Sequence, residues 1–383
     1  MGKKIVYLLG SNYYPNGMSQ VISQKINYLA QYTNYELYAV LIEGKDKPMY
    51  YELNNKVHIT HLNINFDEIE FGKITFYKKV FLYLKKQYIY KKELTKYLKN
   101  LKADIVVSAM RRDINFLNKI KDGSQKIGEI HFSKSNYREF KKNYFPKWLN
   151  NFITKQWRNQ LVKEIKRLKH FIVLSNEDKA EWTELKNISV IHNPICYKFN
   201  KQSTCEPKRV IAVGRYTWQK GFDLLIDSWK LVNQKYSEWE LHIYGSGNNH
   251  IYQKWADEKG LGTTITCHPP TRNIMSEYQK SSIFVLSSRY EGFALVIGEA
   301  MSCGIPVVSF ACPCGPKDII TDGKNGYLVE PNNIEALAER ICYLIENEEV
   351  RKEMGKAARK RAEDFTEEKI MKQWVDLFEN IQS

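Results

Sequence analysis

Short apolar runs recur along this chain, separated by segments whose apolar residues fall three and four apart. Residues 5–9 form the first run. A glycine-containing stretch follows, and then Val21, Ile22, Ile26, Leu29 and Ala30 mark one face of a helix over 21–32. Further strands are predicted at 37–41, 57–62, 103–108, 126–130 and 171–175. The pattern restarts at 209–213 and continues with strands at 240–244, 264–268, 283–286, 306–308 and 325–329. Helices fall between them, one with Leu224, Leu225, Trp229 and Val232 inward, others over 294–303, 333–347 and 349–363. Continuous apolar strands alternating with amphipathic helices predict parallel sheets covered on both faces, an α/β fold.

A chain of 383 residues accommodates two such domains. Residues 196–208 are polar and irregular and are expected to be the linker. The domains are then 1–200 and 201–365, with a last helix over 366–383, where Thr366 is a candidate N-cap and acidic residues fill the first turn. A hydrophobic content of 43% and a charged content of 26% describe a globular chain. No run approaches the ~20 apolar residues of a membrane-spanning helix. Lys3 and Lys4 precede only five apolar residues that lead into a glycine loop, which predicts a first strand rather than a signal peptide. The seven cysteines show no metal-ligand spacing, and Cys312-Pro-Cys314 has no second pair to answer it. Reduced thiols in a cytoplasmic protein are expected.

Net charge divides unevenly. Residues 1–200 carry 35 Lys and Arg against 18 Asp and Glu, whereas 201–383 carry 23 against 25, so the whole excess sits in the first half. Ten lysines between 73 and 102 are interleaved with Ile74, Phe76, Tyr77, Val80, Phe81, Tyr83, Leu84, Tyr88 and Leu94, the pattern of one or two basic amphipathic helices. Two readings stand: a solvated face over a core stripe, or attachment to an anionic membrane surface. Residues 134–170 again mix basic with aromatic residues, which suits a membrane interface or single-stranded nucleic acid.

Candidate chemistry concentrates in the second half. Glu291 lies in the loop after the 283–286 strand, and Glu299 stands eight residues on, about two turns into the next helix. Loops at the C-terminal ends of parallel strands are where open α/β sheets bind ligands. Arg215 and Lys220 belong to the equivalent loop after the 209–213 strand. A guanidinium supplies bidentate donors to phosphate and an ammonium a mobile point charge. The Asn16-Gly17 turn before the first helix presents backbone N–H groups of the kind that hold phosphates.

The block from Glu291 through Gly292, Phe293, Ala294, Leu295 and Val296 to Glu299, with Gly304-Ile-Pro-Val-Val behind it, resembles the donor-site block of the retaining nucleotide-sugar glycosyltransferases of family 4. Gly214-Arg215-x4-Lys220-Gly221 is similar to that family's diphosphate clamp. Asn16-Gly17-Met18-Ser19-Gln20-Val21 resembles its Gly-Gly-x-Glu-Arg-Val loop, with Asn, Ser and Gln as departures. The resemblance implies a GT-B architecture, two Rossmann-like doubly wound domains facing a central cleft. It implies that Glu299 holds the ribose, that Glu291 and His131 lie near the donor sugar, and that Tyr244, Gly245, His268 and Pro269 approach the nucleotide. The first half alone leaves His131 open between a structural and a site role. The implied co-substrate is a nucleotide diphospho-sugar, with no metal and no other cofactor. The implied acceptor is a glycan or lipid-linked glycan of bacterial surface-polysaccharide assembly, with an anionic membrane surface as a further candidate partner. A UDP-sugar epimerase or hydrolase of the same fold is the alternative. A nucleic-acid-binding protein is disfavoured because it needs neither the clamp nor the carboxylate pair.

Overall fold

The computed structural model describes residues 2–14, 16–66, 69, 75–134, 146–195 and 201–381. The chain forms two compact units, each built on one wholly parallel sheet.

The first unit comprises residues 1–173, 179–191 and 371–383. Its strands are β1 (Lys4–Leu9), β2 (Glu36–Leu41), β3 (His58–His61), β4 (Ile105–Ser108), β5 (Gln125–Glu129), β6 (His170–Val173) and β7 (Ile188–Val190), in the order β3-β2-β1-β4-β5-β6-β7. Its helices are α1 (Gly17–Tyr32), α2 (Phe76–Leu101) and α3 (Lys147–Ile165). Strands β1 and β4 are apolar because both sheet faces are covered: Ile5, Val6, Val106 and Val107 are buried. The predicted helix over 21–32 begins four residues earlier. Asn16 is its N-cap, its side-chain oxygen accepting the Ser19 N–H at 2.8 Å, so local polar chemistry rather than apolar spacing sets the start.

The second unit comprises residues 174–178 and 192–370. Strands β8 (Arg209–Val213), β9 (Glu240–Tyr244), β10 (Ile265–His268), β11 (Ile283–Leu286), β12 (Val307–Phe310) and β13 (Gly326–Val329) are ordered β10-β9-β8-β11-β12-β13. Around them pack α5 (Phe222–Asn233), α6 (Asn249–Glu258), α7 (Ile274–Gln279), α8 (Leu295–Ser302), α9 (Pro316–Ile319), α10 (Ile334–Glu346) and α11 (Glu348–Ala362); the short α4 (Asn176–Glu181) precedes them, its residues 176–178 counting with this unit and 179–181 with the first. One core cluster centres on Trp229, Ile243, Val285 and Ile341, and a second on Phe284, Ile297, Ala300 and Ile305.

The division is not the single seam expected at residue 200. Leu174 and Ile195 share the apolar cluster of Phe293 and Ile297, and Glu177 accepts the Cys314 N–H at 2.8 Å, so the stretches on either side of 179–191 count with the second unit. Residues 171–175 are likewise not the last strand of the first sheet, because β7 adds an edge strand beyond β6. The expected linker is tied down where it is described. Cys205 is 2% exposed and its carbonyl accepts from Arg351 Nε at 2.8 Å. Residues 196–200, several basic and aromatic residues of 135–145, and Lys73 and Ile74 lie outside the described residues.

The last helix, α12 (Glu367–Asn380), enters the first unit from Met371 onward. Trp374 is fully buried there, with the Lys25 ammonium 4.6 Å from its ring centroid, and Lys3 pairs with Glu379 at 2.9 Å. Removing that indole leaves a cavity above a buried charge. Trp374→Ala is expected to cost ~3–5 kcal/mol, read as a lower urea midpoint for the first unit; a midpoint within error of wild type would show that the helix end adds nothing to this core.

Candidate functional site

In the second sheet the strand order reverses between β8 and β11, so the loops that follow these two strands lie side by side at the C-terminal edge. They are stitched together. Ser287 Oγ donates to the Lys220 carbonyl at 2.9 Å, the Arg289 N–H to the Gln219 carbonyl at 2.8 Å, and Gln219 Nε2 to the Tyr290 carbonyl at 3.0 Å. Arg289 grips Asp223 with both terminal nitrogens, at 2.9 and 2.6 Å, and lies over the Trp218 ring. Burial works against the Asp223 charge, but Arg289 outweighs it and holds the carboxyl below its ordinary range.

This frame positions Lys220. Its ammonium donates to Glu291 Oε1 at 2.7 Å. A Cβ on Gly214 would stand 3.0 Å from Lys220 Cδ, so the glycine leaves room for the lysine stem. Gly221, at φ +62°, takes a left-handed conformation, and a Cβ there would lie 2.0 Å from the Ser287 carbonyl oxygen. Glu291 is itself buried, and its N–H donates to the Pro313 carbonyl.

Glu299 sits on α8, where Oε2 accepts the Tyr278 hydroxyl at 3.0 Å. The residue keeps some exposure, but its carboxyl lies deep. Burial pushes it up to about 7, against the opposing pull of Tyr278 and Lys220. One lysine therefore acts on both carboxylates, in contact with Glu291 and at longer range with Glu299. At the start of α8 the N-cap is Ala294, which offers no side-chain oxygen, so no side chain caps the positive end of the helix, although the Leu295 and Ile297 N–H groups donate to the Phe293 and Ala294 carbonyls. Phe293 and Ala294 are buried, with Phe293 stacked on His192 at 5.3 Å, while Gly292, Leu295 and Val296 are partly exposed.

Arg215 is exposed in the same loop, 3.5 Å from Gln219 Oε1. Gly245 is there because the loops after β8 and β9 touch: a Cβ would fall 1.6 Å from the Gly214 carbonyl oxygen. Tyr244 is engaged within the unit. Its ring stacks on His268 at 4.2 Å, and its hydroxyl donates to Glu277 at 2.7 Å while accepting from Arg209 at 2.8 Å. Burial and Glu277 push this phenol up to about 12. His268 also meets His242, nitrogen to nitrogen at 2.9 Å, and Pro269 is exposed.

In the first unit, Gly17 is the first residue of α1, and a Cβ there would meet nothing within 4 Å, so open space borders this turn. His131 follows β5, and its ring is enclosed rather than open to solvent. Its side chain is 4% exposed and Nε2 lies 3.2 Å from Glu129 Oε1. The reason is a charge that the local sequence does not show: Glu129 is also paired with Lys25 of α1, itself fully buried. Burial alone would raise the Glu129 carboxyl, but Lys25 and His131 together bring it down to about 2.

Sequence reasoning missed Tyr278, Gln219, Ser287, the Arg289–Asp223 pair and the Lys25–Glu129 pair. Each partner lies 21 or more residues away in sequence, except that Arg289 stands two residues before Glu291, where a basic residue beside a site acid was the available signal. Among the described residues no cluster of His, Cys, Asp and Glu is placed to hold a metal ion.

Residues 197–361 match the family model of the glycosyl transferases, group 1. An uncharacterized glycosyltransferase of Haemophilus influenzae is 35% identical over 211 residues, covering 54% of this chain and 60% of the relative. The amylovoran biosynthesis glycosyltransferase AmsD of Erwinia amylovora is 32% identical over 218 residues, 54% of this chain and 61% of the relative. This chain thus spans about 60% of the length of these relatives. Among solved structures, a mutant of TarM from S. aureus in complex with fondaparinux, α-GlcNAc-glycerol and UDP superposes with a TM-score of 0.74 at 19% identity, over 98% of this chain and 99% of that one. The fold is that of the GT-B glycosyltransferases, two parallel-sheet Rossmann-like domains.

Glu129 and Glu299 make opposite contributions to pH dependence. Glu129 is depressed, so its contribution is present above about pH 4.5 and is lost as pH falls towards 2. Glu299 is raised, so between pH 4.5 and 7 the folded protein keeps a proton that the unfolded chain releases, and stability falls as pH rises through that window. The Glu299→Gln variant should therefore gain on wild type in unfolding midpoint across this window and hold a constant lead above it. A pH-independent difference would mean that the carboxyl is not perturbed.

Proposed function

We propose that this chain is a retaining, metal-independent glycosyltransferase that moves a hexose or N-acetylhexosamine from a UDP-sugar to a glycan or lipid-linked glycan acceptor. The setting proposed is bacterial surface-polysaccharide assembly on the cytoplasmic side of the membrane. The observation that carries the reading is the shared lysine: Lys220 in contact with Glu291 and acting on Glu299, beside the uncapped start of α8. The group 1 match over 197–361 covers this whole arrangement.

In such a transfer the bond from the anomeric carbon to the β-phosphate oxygen breaks, and negative charge builds on the leaving diphosphate. Fixed donors aimed at that charge accelerate the step. Arg215, Lys220 and the N–H groups of 293–296 are assigned to it, with the uncrowded Gly17 turn of the first unit also assigned to phosphate. Glu299, titrating near neutrality, accepts from the ribose hydroxyls in its ionised form, and nucleotide binding accordingly favours loss of its proton. Glu291 orients the donor sugar and offsets its developing positive charge. His131 is assigned a hydrogen bond to the same sugar, through the ring nitrogen that does not face Glu129. The acceptor oxygen attacks from the face the diphosphate leaves, and its proton passes to the departing phosphate oxygen, which retains the anomeric configuration. Tyr244, Gly245, His268 and Pro269 are assigned to the nucleotide through the shape of their loops, since the Tyr244 hydroxyl is already used by Arg209 and Glu277.

A thermal-shift screen of UDP-, GDP- and ADP-sugars is expected to single out UDP. Lys220→Ala and Glu299→Ala should each lower transfer by ~10²-fold or more with the fold retained by circular dichroism, and a chelator should leave the wild-type rate unchanged. Near-wild-type rates in both variants would reject the site, and conversion of a UDP-sugar without any acceptor would point instead to an epimerase or hydrolase.

A further inference from the structure

Helix α2 has two apolar faces where one would suffice. The inner face is core: Tyr90, Leu94 and Leu98 are buried, and Tyr90 meets Phe116 edge-on at 5.0 Å. On the opposite side Phe81, Leu84 and Tyr88 are 67%, 61% and 71% exposed. Their three- and four-residue spacing places them in one row of about two turns. Basic residues border the row. Lys78, Lys85, Lys91 and Lys92 are exposed, and the helix carries eight lysines against the single acid Glu93. Helix α3 of the same unit repeats the motif with exposed Trp148 and Phe152, four apart, and exposed Lys147 and Lys155.

The two helices share a support. Gln87 of α2 donates to the Arg112 carbonyl at 3.2 Å, beside the turn Asp113–Asn115 against which α3 packs. No described helix is long and apolar enough to cross a membrane, so any lipid contact these rows make is at the surface.

We propose that α2 is a docking face for an anionic lipid bilayer, lying along the headgroups with Phe81, Leu84 and Tyr88 inserted and the flanking lysines on lipid phosphates. Charge selects this occupant. A second copy of the chain would set lysine against lysine. A nucleic acid would use the lysines and offer bases to Phe81 and Tyr88, but it has no apolar layer to receive the aliphatic Leu84. A bilayer interface supplies both a negative surface and an apolar layer beneath it. The surface is independent of the proposed transfer chemistry and is testable without substrate.

The full-length protein is mixed with vesicles of phosphatidylcholine plus phosphatidylglycerol and with vesicles of phosphatidylcholine alone, and co-sedimentation is measured at low and high salt. Binding only to the anionic vesicles, weakened by salt, is expected. The triple variants Phe81→Ser/Leu84→Ser/Tyr88→Ser and Lys85→Glu/Lys91→Glu/Lys92→Glu should each bind at least ~10-fold more weakly. Hydrogen exchange on the wild-type protein keeps the test open should a variant misfold, because vesicles should protect peptides across 77–92. Absence of anionic-vesicle binding at low salt, unchanged binding in the apolar triple variant, or no added protection over 77–92 would each overturn the proposal. Heparin binding that survives the apolar changes, with vesicle binding absent, would assign the lysines to a soluble polyanion instead.

Discussion

One ammonium group in the second unit acts on two carboxylates, and the surrounding loops are arranged around that fact. Lys220 is held 2.7 Å from Glu291 while Glu299, on the next helix, feels it only at longer range. A buried charge without a partner is strongly unfavourable, so Lys220 and Glu291 each require the other to be in place. That requirement explains the stitching between the loops after β8 and β11. The Ser287, Gln219 and Arg289 contacts fix both backbones, and Gly214 clears the path of the lysine stem. Rigid support of this kind lets a charged group face an incoming anion with little reorganisation.

The same logic places the polar cost of the site in its surroundings. Arg289 does not face the carboxylate pair at all; it spans Asp223 and Trp218 and so braces the loop that carries Lys220. Tyr278, buried, donates its hydroxyl to Glu299 and so orients that carboxyl. Gly245 closes the array, because only a residue without a Cβ lets the loops after β8 and β9 approach so closely.

Much of this was legible from the chain alone, and the division follows physical range. Strands such as 283–286 and the helix at 294–303 announce themselves through local periodicity, and the structure keeps the ends of that strand and moves each end of the helix inward by one residue. Glu291, Glu299, Arg215 and Lys220 were legible because each lies just beyond a recognisable strand or within the helix that follows one. The start of α1 escaped apolar spacing because a local polar contact, the Asn16 cap, sets it. The rest of what was hidden is long-range: the division between units depends on Leu174 sharing an apolar cluster with Phe293, and the setting of His131 on Lys25, which stands 104 residues from Glu129. Periodicity has no means of reporting such pairings, and a strand-end histidine looks the same whether it faces solvent or a buried acid.

The two buried glutamates, Glu129 and Glu299, show how the fold separates support from poise. Desolvation pushes both upward, and the only question is what opposes it. Lys25 lies in direct contact with Glu129 and beside the Trp374 ring, and with His131 it outweighs burial, so that carboxyl falls to about 2. Lys220 is in contact with Glu291 and acts on Glu299 only at longer range, too weakly even with the Tyr278 hydroxyl to cancel burial, which leaves that carboxyl at about 7. A group ionised across the whole physiological range behaves as a fixed strut. A group that titrates near neutrality changes charge when a hydrogen-bond donor arrives, because each new donor favours the ionised form. The contrast follows from whether a cation touches the carboxyl or reaches it only at longer range, and Glu299, not Glu129, is the carboxyl whose charge a further hydrogen-bond donor would still favour.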